Sequence, residues 1–339
     1  MNKMPEEMTY AKAGVSIERE ELAIRKIKGI MEKTSRFRRG KVGEVMQGIG
    51  SYANLIDMGS FALAICMDGV GSKILVAQEL DKYDTVGIDL VAMNVNDLIC
   101  IGAEPIAMVD YIAVKHIHPE IVREICIGIY EGAKEADIAV VGGETATLPE
   151  IITGIDEKGF DLAGTAVGIV NKDRVILGEK IKVGDVVLGF KSSGIHSNGL
   201  TLARKVLPRN MWIDLLTPTR IYVKEVLELI NNYDVHGLAH ITGGGVRNLL
   251  RITDLGFYLD NMPKPQMIFR KIQGEGNVSD KEMYRTFNMG VGFCSIVDER
   301  DSEDIIKRFG NEWKIRKIGR VVEEPGVRIV KDGKEIIIR

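Results

Sequence analysis

Glycine clusters that directly follow short apolar runs constrain the fold of this sequence more than any other feature. Glycine contributes 37 of the 339 residues, about 11% against a usual ~7%. The glycines do not form a low-complexity tract, because each cluster stands between an apolar run and the next predicted element. A backbone turns tightly or approaches a ligand closely at such positions. The pattern therefore predicts tight turns or ligand-binding loops at the ends of several strands.

Length and charge fit a globular protein of about two domains, at roughly 100–200 residues per domain. The 45 Lys and Arg residues against 48 Asp and Glu residues give a net charge of −3, which predicts no general attraction to nucleic acid or anionic lipid. The basic stretch at residues 36–41 is interpreted as a solvated loop, with a phosphate-facing loop as the alternative.

Cysteine usage and apolar run lengths favour the cytoplasm. No apolar run approaches the ~20 residues that span a bilayer, and residues 1–7 lack the apolar segment of a signal peptide. The four cysteines lie far apart among apolar neighbours, so we expect buried free thiols in a reducing compartment and no structural zinc site: Cys66, Cys100, Cys126 and Cys294.

Apolar periodicity and turn signals predict two α+β domains with mixed sheets, at residues 1–170 and 171–339. Strands occur in pairs and hairpins as well as in βα units, which favours this class over one doubly wound sheet. The predicted strands are residues 61–67, 105–114, a short buried strand at 138–141, 160–170 and 186–190, and a type I′ turn at Asp332-Gly333 joins two more. The predicted helices start near Ser16, with Glu18, Glu20 and Glu21 in its first turn, and at Lys73, Asp89, Pro119, Thr217, Val246 and Ser279.

The first motif with chemical content is Asp68-Gly69-Val70-Gly71-Ser72-Lys73, between a buried strand and a helix. Small residues let backbone N–H groups approach phosphate oxygens, and a helix amino terminus adds partial positive charge. The spacing is not that of a Walker A loop. Asp68 would bind Mg²⁺ at the strand end, and a structural Asp in a tight turn is the alternative.

Three oxygen-bearing side chains, Asp89, Asn94 and Asp97, fall on neighbouring lines of one predicted helix. Their neighbours are nearly all apolar, and a carboxylate in such a helix is costly unless a cation pairs with it. Mg²⁺ prefers hard oxygen ligands, usually one or two carboxylates together with nucleotide phosphates. A magnesium site is therefore favoured over a solvated polar helix face.

Gly142-Gly143-Glu144-Thr145 repeats the pattern of a strand, a glycine turn and a carboxylate. A plain turn is the alternative interpretation. Taken together, the three acidic segments of the first half indicate a Mg-nucleotide site better than any one of them alone.

The second half contains a donor-rich loop, Ser192-Ser193-Gly194-Ile195-His196-Ser197-Asn198-Gly199, with one histidine. A histidine with a near-neutral pKa can transfer protons there, and a helix-capping histidine is the alternative. No Gly-x-Ser-x-Gly elbow precedes a helix, so a Ser-His-Asp hydrolase fits poorly. His240-Ile241-Thr242-Gly243-Gly244-Gly245 predicts another anion-binding loop, whereas His116, His118 and His236 are interpreted as surface or turn histidines.

Motifs along nearly the whole chain resemble those of the phosphoribosylformylglycinamidine cyclo-ligase family, also called AIR synthetase, of purine biosynthesis. Residues 10–15, 68–73, 142–146, 196–199 and 240–245 carry this resemblance, and several are shared with sibling ATP-using families. Residues 87–98, and Met283-Tyr284-Arg285-Thr286-Phe287-Asn288 with the glycines after it, point to the cyclo-ligase itself. The sequence departs from the family in three places, with Ser72 for Thr, Thr147 for Glu, and a divergent segment at residues 37–54.

The resemblance implies conversion of formylglycinamidine ribonucleotide and ATP to aminoimidazole ribonucleotide, ADP and phosphate. It implies ATP and Mg²⁺ as ligands, and homodimers whose amino-terminal domains form a central barrel. The implied catalytic residues are His196, Asp68 and Lys28, and the implied metal ligands are Asp68 and Asp97. The implied nucleotide contacts are Gly69, Gly71, Ser72, Lys73, Asp89, Asn94, Gly143 and Glu144, and the implied substrate contacts are Ser192, Ser193, Asn198, Thr242, Gly243, Gly244 and Gly245.

Three alternatives stay open at the level of sequence. One is the synthetase of the preceding purine step, which also handles Mg-ATP but normally needs a glutaminase partner or an ammonia route. A thiamine-monophosphate-kinase-like sibling has no role for residues 283–288. A nucleotide-binding maturation or scaffold protein would not need the donor-rich loop around His196 and Asn198.

Overall fold

The computed structural model describes residues 8–9, 11–14 and 17–339, with side chains from residue 22 onward in the last range. Tyr10, Val15 and the expected cap Ser16 therefore lie outside what is described, as do the side chains of the first-turn glutamates of that helix. Two mixed sheets with associated helices form the described chain, which confirms the predicted α+β class. Within it, no helix is long and apolar enough to cross a membrane.

The first sheet has the order β1-β2-β3-β6-β4-β5, with β4 and β5 parallel and the other neighbours antiparallel. Its strands are β1 (Glu44–Val45), β2 (Asn54–Asp57), β3 (Ala62–Gly69), β4 (Glu104–Val114), β5 (Ala139–Thr147) and β6 (Phe160–Val170). The helices of this half are α1 (Ile17–Met31), α2 (Ile74–Leu80), α3 (Val86–Ile99) and α4 (Pro119–Ala136), with 3₁₀ segments at Glu32–Arg38, Gly71–Lys73 and Lys172–Arg174.

The second sheet has the order β13-β12-β9-β11-β7-β10-β8, with β12 and β9 parallel. Its strands are β7 (Val186–Lys191), β8 (Val235–His240), β9 (Gly256–Leu259), β10 (Val291–Val297), β11 (Ile315–Val322), β12 (Gly326–Lys331) and β13 (Lys334–Ile338). The helices are α5 (Leu200–Val206), α6 (Val223–Asn232), α7 (Met267–Gly276), α8 (Asp280–Thr286) and α9 (Glu299–Phe309), with 3₁₀ segments at Arg209–Leu216 and Gly245–Arg251 and a π-helical turn at Gly310–Lys314.

Local signals set several element boundaries as predicted. Pro119 is at the start of α4, and Ser279 caps α8 by accepting a hydrogen bond from the backbone of Glu282. Asp332 and Gly333 both have positive φ, 51° and 74°, as a type I′ hairpin requires.

Helix α3 lies at the centre of the first half, buried on nearly every side between the first sheet and α4. It crosses α4 at Gly87 and Gly128, where the backbones touch. A Cβ at Gly87 would lie 2.3 Å from the carbonyl oxygen of Ile125, so only glycine fits. This close crossing fixes the amino-terminal end of α3 against α4.

The other face of the first sheet carries exposed apolar side chains. Met67, Val109 and Tyr111 project from it and are 69%, 40% and 38% exposed. Exposed apolar side chains therefore lie on this face of the sheet.

Some sequence predictions are wrong. Strand β5 is longer than predicted and exposed along almost its whole length, because it is the edge strand of the first sheet. Helix α6 starts at Val223 instead of Thr217, and the segment at Gly245–Arg251 is 3₁₀ instead of α-helical. Cys126 is exposed on α4, whereas Cys66, Cys100 and Cys294 are buried as expected. Apolar sequence neighbours on an amphipathic helix do not bury its outer face.

Candidate active site

Polar contacts join the two domains along a line that we call the interdomain seam, defined by Ser72, Asn96, Thr201 and Tyr222. Asn96 of α3 donates to the carbonyl of Arg220 (2.9 Å) and accepts from the backbone N–H of Tyr222 (3.0 Å). The hydroxyls of Ser72 and Thr201 lie 2.9 Å apart. The predicted glycine loop at residues 68–73 therefore lies at the seam.

The two predicted metal ligands lie near each other beside this seam. Asp68 is at the end of β3, and the side chain of Asn94 holds its backbone by accepting from the Asp68 N–H (3.1 Å). Burial, and next the negative charge of Asp97, raise the pKa of the Asp68 carboxyl to about 6. Two close carboxylates of this kind are stabilised when a cation lies between them.

Asp97 also contacts the second domain through His240. The Nδ1 of His240 lies 2.9 Å from Asp97 Oδ1, and since a carboxylate only accepts, Nδ1 donates. His240 has no exposed surface, whereas the Asp97 side chain is 16% exposed. The described residues contain no group of three His, Cys, Asp or Glu side chains that could hold a metal alone. The donor set fits Mg²⁺ that takes further oxygens from phosphates and water.

The expectation that Asp89, Asn94 and Asp97 present their oxygens together is wrong. Asn94 is fully buried and bonds Asp68 and the Leu90 carbonyl. Asp89 is fully buried and forms an ion pair with Lys73, at 2.8 Å. Apolar packing of α3 closes these positions off, and of the three only Asp97 keeps exposed surface.

The loop at residues 192–199 places His196 inside the protein. Its side chain has no exposed surface, and its backbone is in the left-handed region with φ 60°. Nε2 accepts from the backbone N–H of Ser193 (3.3 Å), so Nδ1 carries the proton of the neutral ring, and Nδ1 has no partner among the described residues. Burial, and next the nearby charges of His240, Lys73 and Arg220, hold the pKa of His196 well below 6.5. The predicted near-neutral pKa is therefore wrong.

This depressed pKa predicts a loss of stability in acid. The unfolded chain takes up a proton at His196 below pH 6.5 and the folded chain does not, so stability falls as the pH drops. The loss approaches about 1.4 kcal/mol per pH unit for one such group. We expect the His196→Asn variant to lose less stability than the parent between pH 7.5 and 5.5, as measured by urea unfolding. Asn suits this position because it tolerates positive φ. His116→Asn, at a half-exposed histidine, should keep the parent slope; equal slopes in all three proteins would contradict the prediction.

The other members of the 192–199 loop have partners of their own. Ser192 accepts from Gln266 through its carbonyl (2.9 Å), and the Ser193 hydroxyl donates to the Pro218 carbonyl (2.5 Å). Asn198 lies beside the second glycine loop, because a Cβ at Gly243 would be 2.9 Å from its Oδ1. Its Nδ2 is buried without a partner among the described residues. The two predicted substrate loops are therefore neighbours.

The glycine triple is not an open anion loop over its whole length. The N–H groups of Gly244 and Gly245 both donate to the Thr242 carbonyl, at 2.9 and 3.0 Å. Thr242 also accepts from Asn248 through its hydroxyl (3.2 Å). A tight turn therefore uses the N–H groups of Gly244 and Gly245, and the predicted substrate contacts of this loop stay a prediction.

Gly143 and Glu144 do not lie in a turn. Both are within the exposed strand β5, and the strand runs through them. Glu144 of β5 lies opposite Tyr111 of β4. Tyr111 in turn lies opposite Ala163 of β6, and Ala163 lies opposite Gly69 of β3. Three strand spacings of ~4.8 Å place Glu144 about 14 Å from Gly69. Within one chain, Glu144 is therefore far from the seam.

Lys28 lies in the last turn of α1. It is 45% exposed and 3.7 Å from Glu32. Its Nζ lies 3.6 Å from the position of a Cβ at Gly50. Glu32 and Met31 line a cavity of ≈ 580 Å³ with Ile65 of β3, large enough for a drug-sized ligand.

Sequence analysis missed three polar residues, of which Tyr52 and Asn96 contact the second domain and Asp110 lies beside β5. Tyr52, in the divergent segment, is buried and donates to the carbonyls of His240 (3.2 Å) and Asn248 (2.9 Å). Asn96 crosses the seam, and its place in an apolar helix was a signal that could have found it. The Asp110 carboxylate fills the space beside Gly143, where a Cβ would be 2.5 Å from Oδ1. Neither Tyr52 nor Asp110 carries a local signal.

Two mixed domains with a polar seam between them define a class, the AIR synthase related proteins. The family model for the AIR synthase related amino-terminal domain matches residues 50–170, and that for the carboxy-terminal domain matches residues 182–332. A relative from Thermococcus kodakarensis named phosphoribosylformylglycinamidine cyclo-ligase is 51% identical over 96% of this chain and 99% of its own length. One of the same name from Methanocaldococcus jannaschii is 50% identical over 97% of each chain. The chain belongs to the phosphoribosylformylglycinamidine cyclo-ligase family.

Solved structures share the fold at much lower identity. A thiamine monophosphate kinase from Aquifex aeolicus superposes with a TM-score of 0.64 at 19% identity, over 95% of this chain and 99% of that one. The hydrogenase maturation protein HypE in complex with ATP superposes with a TM-score of 0.64 at 18% identity, over 82% and 84%. These similarities confirm the fold.

Proposed function

We propose that this chain catalyses the ATP-dependent ring closure of formylglycinamidine ribonucleotide to aminoimidazole ribonucleotide, with release of ADP and phosphate. The observation that carries this proposal is about 50% identity with cyclo-ligases along nearly the whole chain. The arrangement at the seam supports it, because carboxylates from the first domain lie against donor-rich loops from the second. We further propose that residues 1–170 and 171–339 act as the two domains of the enzyme, in the cytoplasm.

The chemical need of this reaction matches the groups at the seam. An amide oxygen is a poor leaving group, and phosphorylation by ATP makes it a good one. Asp68 and Asp97 would hold Mg²⁺, which supplies neutralisation of phosphate charge. Asn198, Ser193 and Gly243 would orient the ribonucleotide, so that the amidine-side nitrogen attacks as phosphate departs.

We propose a role for His196 other than the proton transfer that the sequence predicts. Because Nε2 already accepts from Ser193, the free capacity of the ring is the Nδ1–H donor. We propose that the buried neutral ring supports the loop that carries Ser193 and Asn198, because the side chain has no exposed surface through which Nδ1 could reach a phosphoryl oxygen. The low pKa of His196 keeps the ring neutral, so proton removal from nitrogen falls to another base.

We propose that Lys28 contributes charge to the nucleotide site beside the ≈ 580 Å³ cavity. Lys28→Ala is expected to raise the ATP concentration needed for half-maximal velocity, since it removes a cation near bound phosphates. Lys26→Ala is the matched control, because Lys26 is exposed on the same helix. Steady-state kinetics against ATP measure both, and equal behaviour of the two variants would favour a solvated helix face.

We also propose that the enzyme is a homodimer in which the open apolar face of the first sheet meets its copy. Met67, Val109 and Tyr111 supply the apolar surface that a second chain would cover. Joining two such faces would give the central barrel that the family resemblance implies. Sedimentation equilibrium measures the mass directly, and a monomer at micromolar concentration would contradict the proposal.

The function itself is tested by incubating the purified protein with formylglycinamidine ribonucleotide, ATP and Mg²⁺. We expect an aminoimidazole product and one ADP per ring closed. A synthetase of the preceding purine step would instead need ammonia and act on the glycinamide precursor, whose amide it converts to the amidine. A kinase-like or maturation protein would leave this ribonucleotide unchanged, which would contradict the proposal.

A further inference from the structure

Lys73, the last residue of the first glycine motif, is buried with all its donors in use. The side chain has no exposed surface, although it follows a loop rich in backbone N–H groups. Its Nζ donates to Asp89 (2.9 Å), to the Thr217 carbonyl (2.7 Å) and to the His196 carbonyl (3.3 Å). An ammonium group has three N–H bonds, so these contacts leave none for a phosphate.

Asp89 completes the same cluster from α3. Its Oδ1 accepts from the Thr219 N–H (2.7 Å), the Thr219 hydroxyl (2.6 Å) and the Ser197 hydroxyl (3.1 Å). Lys73 and Asp89 belong to the first domain, and every other member of the cluster belongs to the second. One buried ion pair therefore holds two separate second-domain segments, residues 192–199 and 217–219.

The strength of this attachment follows from burial. A buried charge that loses its partner is strongly unfavourable, whereas removal of both charges can be nearly neutral when the hydrogen-bonding shape is kept. The loop that Lys73 holds includes His196 and Asn198. Lys73 contacts this loop through the backbone carbonyl of His196. A shift of this loop by 1 Å would misplace both side chains relative to Asp68 and Asp97.

We propose that Lys73 and Asp89 are positioning residues that fix the loop at residues 192–199 against the first domain, and that Lys73 does not bind nucleotide phosphate. The proposal rests on the proposed function only for the identity of the ligand that the loop aligns. It replaces the phosphate-binding role that the motif Asp68-Gly69-Val70-Gly71-Ser72-Lys73 predicts for this lysine.

The test compares Lys73→Met, Asp89→Asn and the double variant with the parent full-length protein. Asn at position 89 keeps an oxygen that can accept from Thr219 and Ser197, and Met keeps most of the lysine volume. Hydrogen exchange of peptides covering residues 192–199 reports on the loop, and calorimetry with ADP and Mg²⁺ reports on nucleotide binding. Neither readout needs turnover, so an absence of cyclo-ligase activity would not be confused with failure of this proposal.

In each single variant, the amide hydrogens of residues 192–199 are expected to exchange at least tenfold faster than in the parent, because one buried charge is left unpaired. The double variant should return to within threefold of the parent, and its ADP affinity should stay within threefold. With active enzyme, the single variants should raise KM for the ribonucleotide or lower kcat while KM for ATP stays near that of the parent. The matched control, Lys82→Met with Asp84→Asn, removes an exposed pair of the same domain and should change nothing.

Two results would overturn the proposal. One is a tenfold loss of ADP affinity shared by Lys73→Met and the double variant, as a phosphate ligand predicts. The other is loop exchange in the double variant as fast as in Lys73→Met. If the single variants do not fold, the double variant decides alone, through the same loop exchange and ADP affinity.

Discussion

Replacing Asp97 by Asn is expected to remove most ATP-dependent activity while the protein stays folded. The substitution keeps the oxygen that accepts from His240 but removes the charge that faces Asp68. Loss of a group that holds charge-neutralising machinery in place typically costs about 10²–10³-fold in kcat. The measurement is kcat as a function of Mg²⁺ concentration, with circular dichroism to verify folding.

Asp84→Asn is the control for this variant, because Asp84 is exposed and pairs with Lys82 on the surface. It should retain parent activity. An Asp97→Asn protein whose Mg²⁺ dependence matches that of the parent would refute the assignment of Asp97 as a metal ligand.

Gly245→Ala should destabilise the second domain by about 2–4 kcal/mol, from the cost of overpacking and of positive φ in a residue with a Cβ. Gly245 has φ 54°, and a Cβ would lie 2.0 Å from the Tyr284 carbonyl oxygen. That oxygen belongs to the backbone of α8, so neither side can move without shifting the helix or the loop. Urea unfolding followed by fluorescence measures the loss.

Gly274→Ala is the matched control, because Gly274 lies in helix α7 with nothing within 4 Å of the added carbon. It should be neutral, or more stable by up to about 1 kcal/mol. Equal unfolding midpoints for the two variants would show that the loop does not need glycine at position 245.

Local signals predicted the framework of this protein well. Proline and serine set the starts of α4 and α8, and Asp332-Gly333 set the last hairpin, because each depends on a conformational preference of the residue itself. Asp68 and Asp97 lie close enough for the charge of one to raise the pKa of the other, and their binding of Mg²⁺ stays a prediction.

Predictions that depended on the path of the chain after a glycine, or on the burial of a side chain, were wrong more often than those that depended on local signals. Glu144 follows two glycines, as a turn residue would, yet the chain continues as an edge strand because pairing with β4 satisfies its backbone. Lys73 ends a loop suited to phosphate, yet its side chain turns into the seam, where Asp89 and two carbonyls take its donors.

The sequence by itself determined the fold class, the family and the loops that carry polar chemistry, because glycine clusters, apolar periods and motif order are encoded within a few residues. Only the tertiary structure decided which polar groups meet: Asp97 with His240, Tyr52 with the same strand, and Lys73 with the loop of His196. These partners are more than 100 residues apart in the chain, and no local pattern records them. Their burial sets protonation and hydrogen-bonding capacity, so the structure had to decide the part that each side chain plays.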